Sequence, residues 1–226
     1  MIEFFIIALI SIALLNTKSF DITSIILSAI YGLVIWRLEG FEWFLILLTF
    51  LVTSLYATRC GRENKEKKYE FRGADNVLSN GLVPFMSAVF GYPYFYLGSI
   101  SAALSDTLGS EIGKLSKEKP VSILNPHKKI EPGTNGGVTK TGTFATIIGG
   151  TIIGILAIIF YSSFVKNDVS SYILFFAVVA GGVFGSVVDS LLGLLFENRK
   201  MMTNGSVNFT ATLCGGIITT IIVFFL

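Results

Sequence analysis

"NVLSNGLVPFMSAVFGYPYFYLGSISAALS" (76–105) runs for thirty residues without a charge. A bilayer core of roughly 30 Å is crossed by about 20 helical residues, so this stretch is too long for one crossing. Gly91-Tyr92-Pro93 places a turn signal at its middle. Read as one helix, the stretch would put its two basic flanks on opposite sides of a membrane. Read as two helices joined at Tyr92, it returns both flanks to the same side, and the rest of the topology follows from that choice.

The remainder of the chain is equally apolar. Of 226 residues, 52% are hydrophobic and 14% charged, against about 25% charged in a soluble domain. Residues 142–164 and 204–226 carry no charge, and 169–196 carry only Asp189. The pattern predicts an all-α, polytopic bundle of about eight transmembrane helices over 2–15, 20–36, 41–58, 75–90, 93–113, 142–164, 169–196 and 204–226. The count is seven if the middle pair is fused. The run Ile2–Leu15 has no basic leader and no clear small-residue cleavage site, so it reads as a short first span rather than a signal peptide. Cys60 and Cys214 stand far apart, with no CxxC motif, and point to neither zinc nor redox chemistry.

With eight helices, fifteen of the seventeen basic residues fall in the connections on one side, and only Arg37 and Lys166 on the other. The positive-inside rule assigns the basic side to the cytoplasm and both termini to the outside. Residues 1–226 then form a single integral membrane domain with cytoplasmic loops at 59–73 and 114–141. The first loop, "RCGRENKEKKYEFRG" (59–73), reads as a solvated segment beside anionic lipid. The second, "KLSKEKPVSILNPHKKIEPGTNGGVTK" (114–140), is long and has no evident structure, as functional loops often are.

Ionisable residues inside membrane helices are costly and therefore functional candidates. Asp106 and Glu111 lie in "SAALSDTLGSEIGK" (101–114), Asp189 in "GSVVDSLLG" (185–193), and Asp75 at the mouth of the fourth span in "GADNVLSNG" (73–81). Asp106 and Ser110 share a helix face. Glu111 is about 140° round from Asp106 and about 7.5 Å along the axis, so the pair needs a bend or an intervening cation to act jointly. Asp106 and Asp189 sit at similar depths, about 10 Å in from the cytoplasmic ends of their helices. Carboxylates at one depth with few cations among them suggest Mg2+, whose usual ligands are hard oxygens and substrate phosphates. Hydrogen bonding of these carboxylates to helix-face hydroxyls, or an ion relay in a transporter, are the alternatives. Asn76 and Asn80, and Asn204 and Asn208, form two one-turn pairs suited to a polar pocket or to ordinary capping.

In "PGTNGGVTKTG" (132–142) the glycines permit close backbone approach. Successive N–H groups there can form an anion nest at a helix N-terminus, with Lys140 and the neighbouring threonines as further donors. The G-x-x-x-x-G-K-[ST] spacing is absent, so the loop alone is equally a flexible turn. A phosphate cradle beside a carboxylate cluster is the minimum equipment for phosphoryl transfer. His127, the sole histidine, lies in a basic stretch and reads as a loop residue.

"SDTLGSEIGKLS", "PGTNGGVTKTGT", "GSVVDSLLG" and "NGSVN", in this order, resemble a family of integral membrane proteins long catalogued as a domain of unknown function. Its best-understood members are the chloroplast phytyl phosphate kinases of vitamin E salvage. The likeness runs from about Asp75 to the C-terminus and more loosely over the first three helices. It implies a kinase that uses a nucleoside triphosphate, with CTP favoured, to convert an isoprenoid monophosphate into the diphosphate. Asp106, Glu111 and Asp189 would hold Mg2+ against the donor phosphates. Gly133, Thr134, Asn135, Gly136, Gly137 and Asn208 are the implied nucleotide-site residues, and Asp75 and Asn76, at the mouth of the fourth span, are counted with them from their position. From the basic residues themselves, Lys140 joins the carboxylates as catalytic by holding the donor phosphates, and Arg72 or Lys114 would hold the acceptor phosphate. The chain departs from the family over Leu194–Phe196, where a more polar residue is expected. The implied partners are nucleotide, lipid monophosphate and membrane lipid, without nucleic acid; a homo-oligomer is compatible with all of this. The isoprenoid tail is expected between glycine-thinned helices. A lipid cytidylyltransferase, sharing the metal and nucleotide, and a cation-coupled transporter are the competing expectations.

Overall fold

The computed structural model describes residues 1–17, 19–63, 73–165 and 169–226. Its long helices are α1 (Ile2–Thr17), α2 (Ile22–Glu39), α3 (Phe41–Glu63), α4 (Ala74–Val89), α5 (Pro93–Gly113), α6 (Lys140–Ile159), α8 (Ser171–Leu192) and α9 (Asn204–Phe225). A single helical turn, α7 (Tyr161–Phe164), follows α6. The opening stretch is two helices. They meet at Gly91, which takes φ +66°, and Pro93 occupies the first turn of α5, where its missing N–H costs nothing.

Five helices are long and apolar enough to cross a membrane: α2, α3 as far as Cys60, α6, α8 with the turn that extends it, and α9. The chain is thus a polytopic helical membrane bundle with at least five such spans. The fifth helix is not among them, for a physical reason. It is the central strut, packed against α3, α4, α6, α8 and α9, and its polar residues Ser99, Ser101 and Ser105 are buried among neighbours instead of facing lipid. Small residues let those neighbours close in. A Cβ on Gly215 of α9 would lie 2.6 Å from the Ala102 Cβ and 2.8 Å from the Gly98 carbonyl oxygen of α5. Ser101 Oγ donates to the Val178 carbonyl of α8 at 2.8 Å.

At the start of α5 the bundle is sealed by aromatics. Trp43 packs on Tyr96 and Phe164, with ring centroids 4.5 and 5.0 Å away. Tyr96 Oη donates to the Trp43 carbonyl at 2.6 Å, and Trp43 Nε1 donates to the Ser163 carbonyl at 3.3 Å. Near the other end, Asp21 caps α2 by accepting from the Ser24 N–H at 2.7 Å. Hydrogen bonds, chiefly from the Ser24 side chain, hold the Asp21 carboxyl below its usual range.

The connection from α5 to α6 carries a small antiparallel sheet, a difference from the unstructured loop expected. Strands β1 (Val121–Ser122), β2 (Asn125–Lys129) and β3 (Gly137–Val138) lie in the order β2-β1-β3. Two of them are two residues long, and all five residues of β2 are exposed. No apolar alternation existed to reveal them.

Candidate functional site

Where α5 and α8 approach their C-termini, the bundle opens into a polar cavity of about 450 Å³. Each wall has a local cause. The end of α5 brings Asp106, Thr107, Ser110, Glu111 and Lys114. The end of α8 brings Ser186, Asp189 and Ser190, and the first two turns of α9 bring Asn204 and Asn208. A turn of π-helix, Gly193–Glu197, widens the end of α8 and adds Glu197 to the wall. Such single π turns recur at functional sites.

The glycine loop forms the roof. Ile123 N–H donates to the Gly136 carbonyl at 2.9 Å, and Gly137 N–H to the Thr134 carbonyl at 3.1 Å, tying the loop to the sheet. Gly136 has φ +79°, and a Cβ there would lie 2.5 Å from the Leu194 Cβ. Only glycine suits both the backbone and the gap. Leu194 is therefore the floor beneath Gly136, which accounts for an apolar residue where the family resemblance implied a polar one. Thr139 begins α6 as its cap, accepting from Gly142 N–H at 3.0 Å. This occupies one of the helix N-terminal donors that the loop was expected to offer.

Among the carboxylates, Asp106 Oδ1 accepts from Ser186 Oγ at 3.3 Å, a link from α5 to α8. Asp189, one turn beyond Ser186 and on the same face, has its Oδ2 shielded from solvent with no hydrogen-bond partner among the described residues. An orphaned buried oxygen of this kind calls for a ligand or an ion. Glu111 is tied to Lys114 at 3.0 Å, so both lie at the cavity rim as a pair and Glu111 does not face Asp106 alone. Among the described residues no group of three His, Cys, Asp or Glu side chains stands assembled around one point. Asn208 Nδ2 donates to Asn204 Oδ1 at 3.3 Å, and Asn80 Nδ2 to the Asn76 carbonyl at 3.2 Å. All four asparagines line the cavity.

The cavity therefore gathers Asp106, Glu111, Asp189, Lys114, Asn76, Asn208 and Gly133 to Gly137. It does not gather Lys140 or Asp75, both exposed and absent from its walls. Lys140 opens α6, whose inward face at this point is taken by Gly142 against the Gly109 carbonyl. Arg72 lies outside the described residues. Glu197 and Ser186 were missed in the sequence. Glu197 follows the apolar span in a charged run and reaches the cavity only through the π turn. Ser186 is one turn before Asp189, and that spacing could have flagged it.

Fold and cavity together define a polytopic membrane protein with a polar site set into one end of its helical bundle. The chain belongs to the integral membrane protein family DUF92, whose model matches residues 5–216. An uncharacterised membrane protein of Methanocaldococcus jannaschii is 34% identical over 226 residues, covering 96% of this chain and 91% of the relative. An uncharacterised membrane protein of Synechocystis is 25% identical, covering 84% and 77%. Protein PGR of Arabidopsis thaliana is 31% identical, covering 70% and 65%. No solved structure matches the chain.

Proposed function

We propose that this protein is a membrane kinase that moves the terminal phosphoryl group of a nucleoside triphosphate onto an isoprenoid monophosphate. CTP is the favoured donor, and phytyl or geranylgeranyl phosphate the acceptor. In the proposed topology eight helices cross the membrane, both termini face outward and the cavity opens to the cytoplasm, where nucleotides are. The observation that carries the reading is the convergence of the glycine loop and the carboxylates of α5 and α8 on one cavity.

The chemistry asks little of a general base, because the acceptor phosphate is already ionised near neutral pH. One of its oxygens attacks the γ-phosphorus. A new P–O bond forms, the bond from the γ-phosphorus to the bridging oxygen breaks, and the nucleoside diphosphate leaves with the electron pair. Backbone N–H groups of Gly133, Asn135 and Gly136 orient the donor phosphates, those of Thr134 and Gly137 being used within the loop. Lys114 steadies the acceptor phosphate. Asp106 and Asp189 would hold Mg2+, which uses one or two carboxylates with substrate phosphates completing its shell and supplies neutralisation of phosphate charge. The unpartnered Asp189 Oδ2 fits that role.

Labelled CTP tests the proposal. With purified protein and geranylgeranyl phosphate, label from the γ position is expected in the lipid diphosphate. Label from the α position in the lipid would replace phosphoryl transfer by cytidylyl transfer and overturn the kinase assignment.

A further inference from the structure

The polar cavity has an apolar neighbour. Between α1, α2, α3 and α4 lies a groove enclosing about 70 Å³, walled by side chains such as Ile10, Leu14, Ala29 and Leu51. Asn76 and Asn80, on the first turns of α4, line both spaces. The two are thus adjoining compartments that share one wall, polar on one side of the asparagines and hydrocarbon on the other. The glycine-thinned faces of α5, α6, α8 and α9, where the tail was expected, are instead filled by neighbouring backbone and side chains.

We infer that the groove of α1 to α4 takes the hydrocarbon chain of a single-chain lipid monophosphate whose phosphate lies in the polar cavity. The inference rests on the proposed kinase reading for the identity of the head. Three observations select this occupant. An apolar groove and a polar cavity lined by the same two asparagines fit the two ends of an amphiphile and no fully polar ligand. The enclosed volume is worth about two water molecules of liquid, room for the first segment of one chain and not for the paired chains of a bilayer phospholipid. Asn76 and Asn80 stand at the junction, where an amide can hydrogen-bond an ester or phosphate oxygen while the chain passes into apolar surroundings.

Photolabelling of the full chain in nanodiscs tests this. The probe is a long-chain alkyl monophosphate with a diazirine near its middle; the controls are the same chain as an alcohol and a diazirine phosphatidylcholine. Labelled peptides are expected in α1, α2, α3 or α4, about tenfold above either control, the ratio set by a charge-assisted hydrogen bond to the head. Ala29→Trp should cut that labelling, whereas Leu213→Trp on the exposed face of α9 should not. Labelling of α5, α6, α8 or α9, or equal labelling by alcohol or phosphatidylcholine, would overturn the groove assignment. Phosphoryl transfer measured on the same sample separates the two claims. Transfer with label elsewhere sinks only the groove, and phosphate-dependent label in the groove without transfer sinks only the kinase.

Discussion

Asp189 presents an oxygen that is shielded from water and has no protein partner among the described residues. Leaving such a group unsatisfied costs about 1–3 kcal/mol, a cost that active sites tolerate and that a neutral side chain relieves. Asp189→Asn is therefore expected to raise the melting temperature of the nucleotide-free protein while abolishing phosphoryl transfer. A fall in melting temperature would show that the carboxylate is structural. Asp106→Asn should lower kcat by at least about 10²-fold, the scale of losing one electrostatic element in a transition state. Ser186→Ala, removing one hydrogen bond to that carboxylate, should cost about tenfold or less. Lys140→Ala should change turnover by no more than about twofold, as expected of an exposed site off the cavity wall; a large loss would return Lys140 to the machinery. Asp106 and Asp189 were legible in the sequence because a charge in an uncharged span stands out. Glu197 was not, because its approach depends on a π turn that leaves no pattern in "GLLFE" (193–197).

At the scale of the element, helix boundaries were readable to within a few residues, since apolar runs and the Gly91-Tyr92-Pro93 break set them. The sheet of the α5–α6 connection was not readable. Its strands are too short for periodicity, and its order comes from backbone hydrogen bonds such as Ile130 N–H to the Pro120 carbonyl at 2.9 Å. That sheet holds the glycine loop as a fixed roof, whereas the loop alone read equally well as a hinge. Gly136→Ala would need a left-handed backbone that costs an L-residue about 1–2 kcal/mol, and its methyl group would meet Leu194. The expected result is a raised nucleotide KM with the helical far-ultraviolet signal intact. An unchanged KM would remove the loop from nucleotide binding.

Across the whole molecule, the proposed orientation rests on the asymmetry of basic residues, and a cysteine tests it. Cys60 sits near the end of α3 and is partly exposed. In a Cys214→Ser background, a membrane-impermeant maleimide should label Cys60 only after the cell membrane is permeabilised; labelling of intact cells would invert the topology. What the sequence carried at this level is the bundle of apolar helices; the side on which each loop lies is the part the maleimide experiment decides. The sequence did not carry the division of labour inside the bundle. Glycine-rich faces in "SAALSDTLGSEIG" and "AGGVFGSVVDS" signal close approach, yet approach by lipid and approach by another helix leave the same trace.

The aromatic seal of Trp43, Tyr96 and Phe164 lies about ten residues, or about 15 Å, along α5 from Asp106. Between them Leu97, Ile100 and Leu104 are fully buried. Among the described residues, this buried apolar layer separates the cavity from the aromatic cluster. In the proposed topology that layer acts as a dielectric plug, so a hydrated, charge-lined chamber sits within the bilayer at one end of the bundle while the other end stays dry.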